Sequence, residues 1–306
     1  MNKALNVHVK NSYAGGLPEI LQAHKQVKKM RKPKPKSWME LAFVPKIFVH
    51  EEVDMKRVGP LSKLIQLDQT QKNPIIAVKG PKGELVHLDG ANRVAALKKL
   101  DCIYILTQVI DHKQENTIEL GTWFHLNKIS YSKLMEFYGD SLVKVASEQA
   151  LEMLENEQTS LAFWFSNTKV YVMDTEMALS SIIKDWENIT ELYQAKTERK
   201  KINTDFPSQE ISGWLDDSDE HNVCVAFAPI TVDNVIEITC NMNKKIPAGI
   251  TRIKVLCGRD MGVNFPLALL QTCLGAKESA KMLKDYLRSM SVRRYGEKIN
   301  IYEKQK

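Results

Sequence analysis

Residues 75–100 constrain the fold of this 306-residue chain more than any other part of the sequence. Two short apolar runs, 75–78 and 85–88, flank a Gly-Pro-Lys-Gly segment whose residue types are typical of a tight turn between strands. An Asp-Gly pair ends the second run, and residues 92–100 then carry apolar residues at helical spacing. A hairpin that continues directly into a helix predicts a fold in which strands and helices are mixed.

The rest of the chain shows the same mixture, so we predict an α+β (mixed α/β) fold. Helices are predicted over residues 58–67, 133–155 with a break at Gly139 left open, 175–200, 231–241 and 276–289. Strands are predicted over residues 43–49, 103–110, 161–165, 170–173, 222–227, 250–256 and 298–302. The first of these strands contains a proline, which is tolerated at the edge of a sheet.

Positive charge is concentrated at the N-terminus of the chain. The formal net charge is +6, but residues 1–36 contain nine Lys or Arg residues and one acidic residue, Glu19, so that the remainder of the chain carries −2. One interpretation of this basic arm is an electrostatic contact with nucleic acid or another acidic partner. The other is a solvated linker or an arm that contacts a second copy in a homo-oligomer.

Several classes of protein are excluded by what the sequence lacks. No apolar run approaches the ~20 residues that span a bilayer, and the first residues do not form a secretory signal. The five cysteines form neither a C-x-x-C motif nor a Cys/His ligand pairing, which argues against a disulfide framework or a structural zinc site. We therefore expect a soluble, cytoplasmic protein without a membrane partner.

The segment Asp89-Gly90-Ala91-Asn92-Arg93 is the sharpest candidate for a binding site. It would place the free N–H groups of a helix start at the end of a strand, an arrangement that favours phosphate or carboxylate. Gly90 permits close approach of a ligand to the backbone, Arg93 offers a forked donor, and the Asp89 carboxylate suits Mg²⁺. The alternative is a plain helix start, capped by the Asp or Asn, with Arg93 at the surface.

A second candidate is His50-Glu51-Glu52-Val53-Asp54, which follows a predicted strand directly. Clustered carboxylates at a strand end can supply a general base. A solvated acidic loop is the alternative.

Two further features concern an aromatic pair and an arginine. Trp123 and His125 would share one face of a strand, either as part of a site or as a half-buried Trp and a hydrogen-bonded His. Arg252 lies beside a predicted tight turn and within an apolar strand, so its guanidinium needs an acceptor. That acceptor is either a substrate carboxylate or a structural acid.

Several of these motifs together resemble a known family. The segments His50-Glu51, Asn73-Pro74-Ile75 and 88–100 resemble the ParB/sulfiredoxin-like fold. Later segments resemble the free L-serine kinases of that fold, namely Thr122-Trp123-Phe124-His125, 246–252, Gly258-Arg259, 264–270 and 294–298. The similarity covers residues 41–306, and the Gly-Glu-Arg-Arg box of the chromosome-partitioning ParB proteins is absent.

The resemblance implies a kinase that transfers a phosphoryl group from ATP or ADP to free L-serine, with Mg²⁺ as cofactor. The product, O-phospho-L-serine, would feed siderophore (2,3-diaminopropionate) or cysteine synthesis. By the same resemblance the catalytic residues are Glu51, as general base, and Asp89, which is also the metal ligand. The implied phosphate contacts are Gly90, Ala91, Asn92 and Arg93, and the implied serine contacts are His50, Trp123, His125, Thr251 and Arg252.

The resemblance also implies a division of the chain into three parts. These are a basic arm and linker (1–40), a ParB/sulfiredoxin-like nucleotide-binding domain (41–118) and an α+β domain that completes the serine site (119–306). Many relatives carry His where this chain has Asn92, and an amide can donate to phosphate but carries no proton or charge. The alternative functions are a DNA-binding or ligand-sensing regulator that uses the arm, and a scaffold that has lost catalysis.

Overall fold

The computed structural model describes residues 35–296 and 298–304, and from Lys36 onward the chain forms one compact unit. The interpretation of residues 1–36 as an electrostatic arm lies outside the described residues, apart from the last two. Within the described part, no helix combines the length and the apolar character that crossing a membrane requires.

Most of the first described part, residues 37–110, belongs to one sheet and the two helices that pack on it. Its elements are β1 (Ser37–Phe43), a 3-10 turn (Val44–Lys46), β2 (Ile47–Val49), α1 (Met55–Asp68), β3 (Thr70–Gln71), β4 (Ile75–Lys79), β5 (Leu85–Asp89), α2 (Ala91–Lys99) and β6 (Tyr104–Ile110).

The middle part, residues 118–227, supplies a second sheet and the helices around it. Its elements are β7 (Ile118–Thr122), β8 (Phe124–Asn127), α3 (Tyr131–Tyr138), a 3-10 turn (Gly139–Ser141), β9 (Leu142–Lys144), α4 (Ser147–Glu155), β10 (Leu161–Phe165), β11 (Val170–Met173), α5 (Leu179–Glu191), β12 (Glu198–Lys200), α6 (Pro207–Asp216) and β13 (Val223–Phe227).

The last described part consists mainly of short elements that return to the earlier ones. They are α7 (Val232–Ile236), one π-helical turn (Glu237–Asn241), β14 (Thr251–Val255), β15 (Arg259–Met261), β16 (Phe265–Pro266), α8 (Leu267–Leu270), α9 (Ala276–Arg288), β17 (Met290–Tyr295) and β18 (Ile299–Lys304).

The predicted α+β class is confirmed, and so are the elements between residues 75 and 110, whose ends differ from the prediction by one residue. The hairpin of β10 and β11 is confirmed with its predicted ends. The predicted single strand over 43–49 is wrong, because Pro45 lies in a 3-10 turn that separates β1 from β2. Each of these two strands forms an edge of the first sheet.

Two long helices that the residue pattern favoured are interrupted in the structure. Residues 133–155 form the end of α3, then β9 and then α4, because β9 pairs with β11 at the edge of the second sheet. Within residues 175–200 only α5 is helical, and β12 pairs with β8. In both places strand pairing with a distant segment outweighs the local helical pattern.

The first sheet has the strand order β1-β6-β4-β5-β2 and mixes parallel and antiparallel pairs. Its two faces are buried against different partners. Ile75 and Ala77 of β4 pack with α1, α2 and α9, whereas Ile76 and Val78 pack with the cluster that includes Phe163 of the second sheet. Burial on both faces explains why β4 is a continuous apolar run rather than an alternating one.

The second sheet is antiparallel throughout, in the order β12-β8-β13-β10-β11-β9. The last part of the chain connects to both regions, because β14 pairs with β7 and β16 pairs with β3. The predicted division of the chain into an arm (1–40) and two domains (41–118 and 119–306) stays a prediction.

The buried side chain of Gln108 joins β6 to β15. Its Nε2 donates to the carbonyl of Gly258 at 2.7 Å, and its Oε1 accepts from the backbone N–H of Asp260 at 3.0 Å. These two bonds satisfy backbone groups that would otherwise be buried without partners.

We expect Gln108→Leu to lower the free energy of unfolding by about 2–4 kcal/mol, because it leaves a carbonyl and an N–H group unpaired. Urea denaturation followed by circular dichroism measures the loss. Gln66→Leu on the exposed side of α1 is the matched control. Equal losses in the two variants would contradict the proposed role of the Gln108 amide.

Candidate functional site

A cavity of about 850 Å³ lies where β5 ends, α2 begins and the segment before β14 approaches. We call it the site cavity. Its charged lining is Glu51, Glu52, Asp54, Asp89, Arg57, Arg93, Arg199, Arg252 and Arg259. Five guanidinium groups therefore face four carboxylates, a lining suited to an anionic ligand with several phosphate or carboxylate oxygens.

Glu51 is held at the cavity wall by the segment that precedes β14. The N–H of Glu52 donates to the carbonyl of Ile246 at 2.9 Å, and the N–H of Ile246 donates to the carbonyl of His50 at 2.8 Å. The Glu51 Oε1 accepts hydrogen bonds from the N–H of Thr251, at 3.0 Å, and from the Thr251 hydroxyl. The carboxylate has a defined position and is 16% exposed, so that a ligand proton can reach it.

His50 lies behind Glu51 and is fully buried. Its Nδ1 is 2.6 Å from the carbonyl of His87, and its Nε2 is 3.0 Å from the Thr251 hydroxyl. Burial lowers the pKa of His50, against the opposing effect of the nearby Glu51 carboxylate. The imidazole is therefore neutral near pH 7.

His87 lies next to His50, with the two Nδ1 atoms 3.2 Å apart. Burial, and then the neighbouring His50, lower the pKa of His87 well below its usual value. Its Nε2 is buried without a hydrogen-bond partner, although the residue borders the site cavity. This ring nitrogen is enclosed by the protein and has no partner there.

Asp89 ends β5 and faces two arginines. Arg259 of β15 forms an ion pair with its carboxylate, and the Arg93 guanidinium is 4.0 Å away. Arg93 also donates to the carbonyls of Asn73 and Pro74, at 3.2 and 2.6 Å. Arg93 is thus not a free surface residue, because it ties the start of α2 to the segment before β4.

The first turn of α2 opens onto the cavity as the sequence predicts. Gly90 is the N-cap residue with φ of 105°, and no side chain caps the helix, so that N–H groups of the first turn stay available to a ligand. A Cβ at Gly90 would lie 3.0 Å from the side chain of Ile75. The Asn92 Oδ1 accepts the N–H of Asp54 at 3.0 Å, which joins the starts of α1 and α2.

Arg252 of β14 has the clearest unmet hydrogen-bonding capacity. Its guanidinium carbon lies 5.8 Å from the centre of the Trp123 ring, and its Nε is buried without a hydrogen-bond partner. Both residues line the site cavity. No ion pair among the described residues involves Arg252, so that a ligand carboxylate stays the predicted acceptor.

His125 is not part of the cavity wall. It is buried, its Nδ1 is 3.1 Å from the Tyr193 hydroxyl and its Nε2 is 2.9 Å from the carbonyl of Gly249. Burial lowers its pKa to about 4, so the ring is neutral. Direct serine contacts by His50 and His125 stay predictions, since the structure shows the ring nitrogens of both engaged with protein atoms.

The other sequence-predicted site residues converge on the one cavity: Glu51, Asp89, Gly90, Ala91, Asn92, Arg93, Trp123, Thr251 and Arg252. The structure adds Arg57, Arg199 and Arg259, which were not predicted as site residues. Gly249 is the sequence signal that accompanies Arg199, because a Cβ at Gly249 would collide with its guanidinium. A second, mainly apolar cavity of about 1010 Å³ beside β1 and α9 holds none of the predicted residues.

Magnesium would require few protein ligands at this site. Among the described residues, no three His, Cys, Asp or Glu side chains are grouped so that they could hold a metal ion. Mg²⁺ is commonly bound by one or two carboxylates together with phosphate oxygens and water. The part-exposed Asp89 carboxylate would supply one such ligand, and Arg259 already forms an ion pair with it.

The sequence matches no model of a protein family and no curated protein. Solved structures do resemble this one. SbnI from Staphylococcus aureus, with a C-terminal truncation, gives a TM-score of 0.66 at 21% identity over 82% of this chain and 95% of that chain. A free serine kinase in complex with AMP gives 0.59 at 17% identity over 78% and 94% of the two chains.

A third similar structure is a free serine kinase variant with Gln in place of a glutamate, also in complex with AMP. Its TM-score is 0.58, at 16% identity over 78% of this chain and 95% of that chain. The chain therefore has the fold of SbnI and of free serine kinase, as the sequence resemblance predicts. At sequence identities of 16% to 21%, the likeness shows a shared fold and no more.

We expect Gly249→Ala to destabilise the protein more than Gly83→Ala does. Both glycines have φ of +83°, but a Cβ would meet nothing within 4 Å at Gly83 and the Arg199 guanidinium at Gly249. Gly83→Ala should cost only the backbone strain, about 1–2 kcal/mol.

A double-mutant cycle with Arg199→Ala isolates the side-chain contact, because truncation of Arg199 removes the collision. The additional loss in Gly249→Ala should largely disappear in the double variant, as measured by urea denaturation. A loss that persists there would contradict close packing of Arg199 on Gly249.

Proposed function

We propose that this chain is a free serine kinase that transfers a phosphoryl group from ATP or ADP to L-serine and forms O-phospho-L-serine. The main supporting observation is the shared cavity. It combines a carboxylate held by Thr251, the open N-terminus of α2 and five guanidinium groups. The likeness in fold to free serine kinases in complex with AMP or ADP adds support.

Arg252 and Trp123 supply the features needed to hold the amino acid. In the proposal, the serine carboxylate accepts from the guanidinium group of Arg252, which lines the site cavity. Trp123, beneath the guanidinium, forms an apolar wall for the serine side chain. Arg252, Trp123 and Glu51 line the same cavity, and the proposal directs the serine hydroxyl towards Glu51.

The start of α2 supplies the features needed for the nucleotide phosphates. The N–H groups that follow Gly90 and the positive end of the helix dipole attract phosphate oxygens. In the proposal, Asp89 holds Mg²⁺, which would neutralise charge on the phosphates and align them for transfer. Arg259, which pairs with Asp89, adds a guanidinium at the same end of the cavity.

The chemical step then requires alignment and a base. The serine oxygen attacks the terminal phosphorus as the bond from that phosphorus to the nucleotide oxygen breaks, and the electron pair of that bond stays with the nucleotide. Glu51 accepts the hydroxyl proton as the new bond forms, which makes a weak nucleophile reactive. We further propose a cytoplasmic location and a product that feeds siderophore (2,3-diaminopropionate) or cysteine synthesis, as the sequence resemblance implies.

We expect Glu51→Gln to lower kcat for O-phosphoserine formation by at least about 100-fold, because the amide cannot take the hydroxyl proton. Product formation is measured with ATP and ADP in parallel, with and without L-serine and Mg²⁺. Glu119→Gln, at an exposed position on β7, is the control. Wild-type protein without serine-dependent turnover of either nucleotide would overturn the proposed function.

We expect Arg252→Gln to raise KM for L-serine by about 10- to 100-fold, the loss of one charge-assisted hydrogen bond, and to leave KM for the nucleotide nearly unchanged. Initial rates at varied serine and varied nucleotide separate the two constants. Lys254→Gln removes an exposed cation from the same strand and serves as the control. A rise in KM for the nucleotide alone would place Arg252 in the phosphate site instead.

A further inference from the structure

A cavity of about 380 Å³ lies beside the small sheet of β15, β18 and β17. We call it the Asp260 cavity. Strand β1 and the end of α9 complete its wall with the side chains of Trp38, Met39 and Leu287. It shares no lining residue with the site cavity. Its volume falls within the range of small-molecule sites, about 300–1,000 Å³.

The register of the small sheet places three polar side chains next to one another. Asp260 of β15 pairs with Asn300 of β18, and Asn300 pairs with Arg294 of β17. Side chains of directly paired residues lie on the same face of a sheet, so these three form a row that borders the Asp260 cavity. Arg259, the neighbour of Asp260, lies on the opposite face of β15 and pairs with Asp89 in the site cavity.

The carboxylate of Asp260 is buried with only partial compensation of its charge. The residue is 6% exposed. Its Oδ1 accepts from the Asn300 Nδ2 at 2.9 Å and from the Tyr302 hydroxyl at 3.4 Å, whereas no described residue donates to Oδ2. Burial raises the pKa of Asp260, against the hydrogen bonds from Asn300 and Tyr302 and the charge of Arg294. A cation bound in the cavity would compensate this carboxylate.

Two cations of the protein line the same cavity without pairing with Asp260. Arg294 is exposed and forms no ion pair with any described residue. Lys36 donates to the carbonyl of Glu115 at 2.9 Å. Because an ammonium carries three N–H donors and a guanidinium five, both side chains can still bind an anionic group.

The lining therefore combines one buried carboxylate with two cations that have donors to spare. A metal ion fits poorly, because no three His, Cys, Asp or Glu side chains are grouped for one within the part of the chain that the structure describes. A simple amine would satisfy Asp260 alone, and a simple anion would satisfy only Arg294 and Lys36. A ligand that carries both an ammonium and a carboxylate matches both parts of the lining.

We propose that the Asp260 cavity is a second ligand site, which binds an α-amino acid with an apolar side chain. The ammonium group of the ligand donates to the Asp260 carboxylate, and its carboxylate accepts from Arg294 and Lys36, in charge-assisted hydrogen bonds. Its side chain lies against the apolar wall of Met39 and Leu287. The site is independent of the proposed kinase function, because the two cavities have separate linings.

L-leucine is the probe, titrated into the full chain without nucleotide in an isothermal titration calorimeter. We expect saturable binding of one leucine per chain. Isoamylamine lacks the carboxylate of leucine and 4-methylpentanoate lacks its ammonium group. Each should bind at least about 10-fold more weakly, the loss of a charge-assisted hydrogen bond. If either analogue binds as tightly as leucine, the assignment to an amino acid is refuted.

Variants test the position of the site. We expect Asp260→Asn, which keeps the shape of the side chain, and Arg294→Gln each to weaken leucine binding by about 10- to 100-fold. Arg293→Gln is the matched control, because Arg293 lies on the other face of β17 and pairs with Glu303 at 3.1 Å. Arg252→Gln alters the site cavity and should leave the affinity for leucine unchanged.

Three results would overturn the proposal. They are the absence of saturable leucine binding at millimolar concentrations, unchanged binding in Arg294→Gln, and a loss of binding in Arg252→Gln, which would place leucine in the site cavity. Near-ultraviolet circular dichroism shows whether Asp260→Asn keeps its tertiary structure. If it does not, Arg294→Gln decides, because the exposed position of Arg294 lets the fold tolerate the change.

Discussion

The pairing of residues 50–52 with Ile246 is the contact on which the arrangement of the site depends. It is a short stretch of parallel backbone hydrogen bonds between segments nearly two hundred residues apart. It places the carboxylate of Glu51 against the first residues of β14, and the N–H of Thr251 completes the attachment. Because β14 also pairs with β7, the same contact brings Arg252 and Trp123 to the end of the first sheet, where α2 begins. The proposed general base on one segment and the proposed serine-binding groups on the other thus share one set of backbone bonds.

The arginines of the site cavity differ in how they are paired within the protein. Arg259 and Arg93 both face the carboxylate of Asp89, and Arg93 also donates hydrogen bonds to two backbone carbonyls. The charges of these two arginines are therefore compensated by protein groups. Arg252 differs, because its neighbour is the face of an aromatic ring and its Nε has no acceptor. A cation that rests on a π face keeps its hydrogen-bonding capacity for a ligand. Of the five guanidinium groups in the lining, those of Arg93 and Arg259 are therefore paired with Asp89, whereas that of Arg252 rests on an aromatic ring.

The parts of the fold that could be predicted from the sequence are those in which local pattern and tertiary burial agree. The apolar runs around β4 and β5, the turn between them and the helix that follows all have local signals, and they form as predicted. Residues 133–155 and 175–200 carried helical patterns, but β9 and β12 within them join the edges of the second sheet. Local spacing cannot reveal a partner strand that lies elsewhere in the chain. Arg199 was not predicted as a site residue for the same reason, because the position of its guanidinium depends on Gly249, fifty residues away in the sequence.

Asn92 departs from the pattern of the free L-serine kinases that the sequence resembles, and its surroundings explain the difference. Its side-chain oxygen accepts the N–H of Asp54, the residue that caps α1, so position 92 must offer an acceptor at all times. A histidine could do this only while one ring nitrogen is unprotonated, whereas an amide oxygen accepts at every pH. The positive charge that a histidine could add to the cavity is already available from its arginines. The amide therefore secures the junction of α1 and α2, and in the proposed function the arginines supply the positive charge for anion binding.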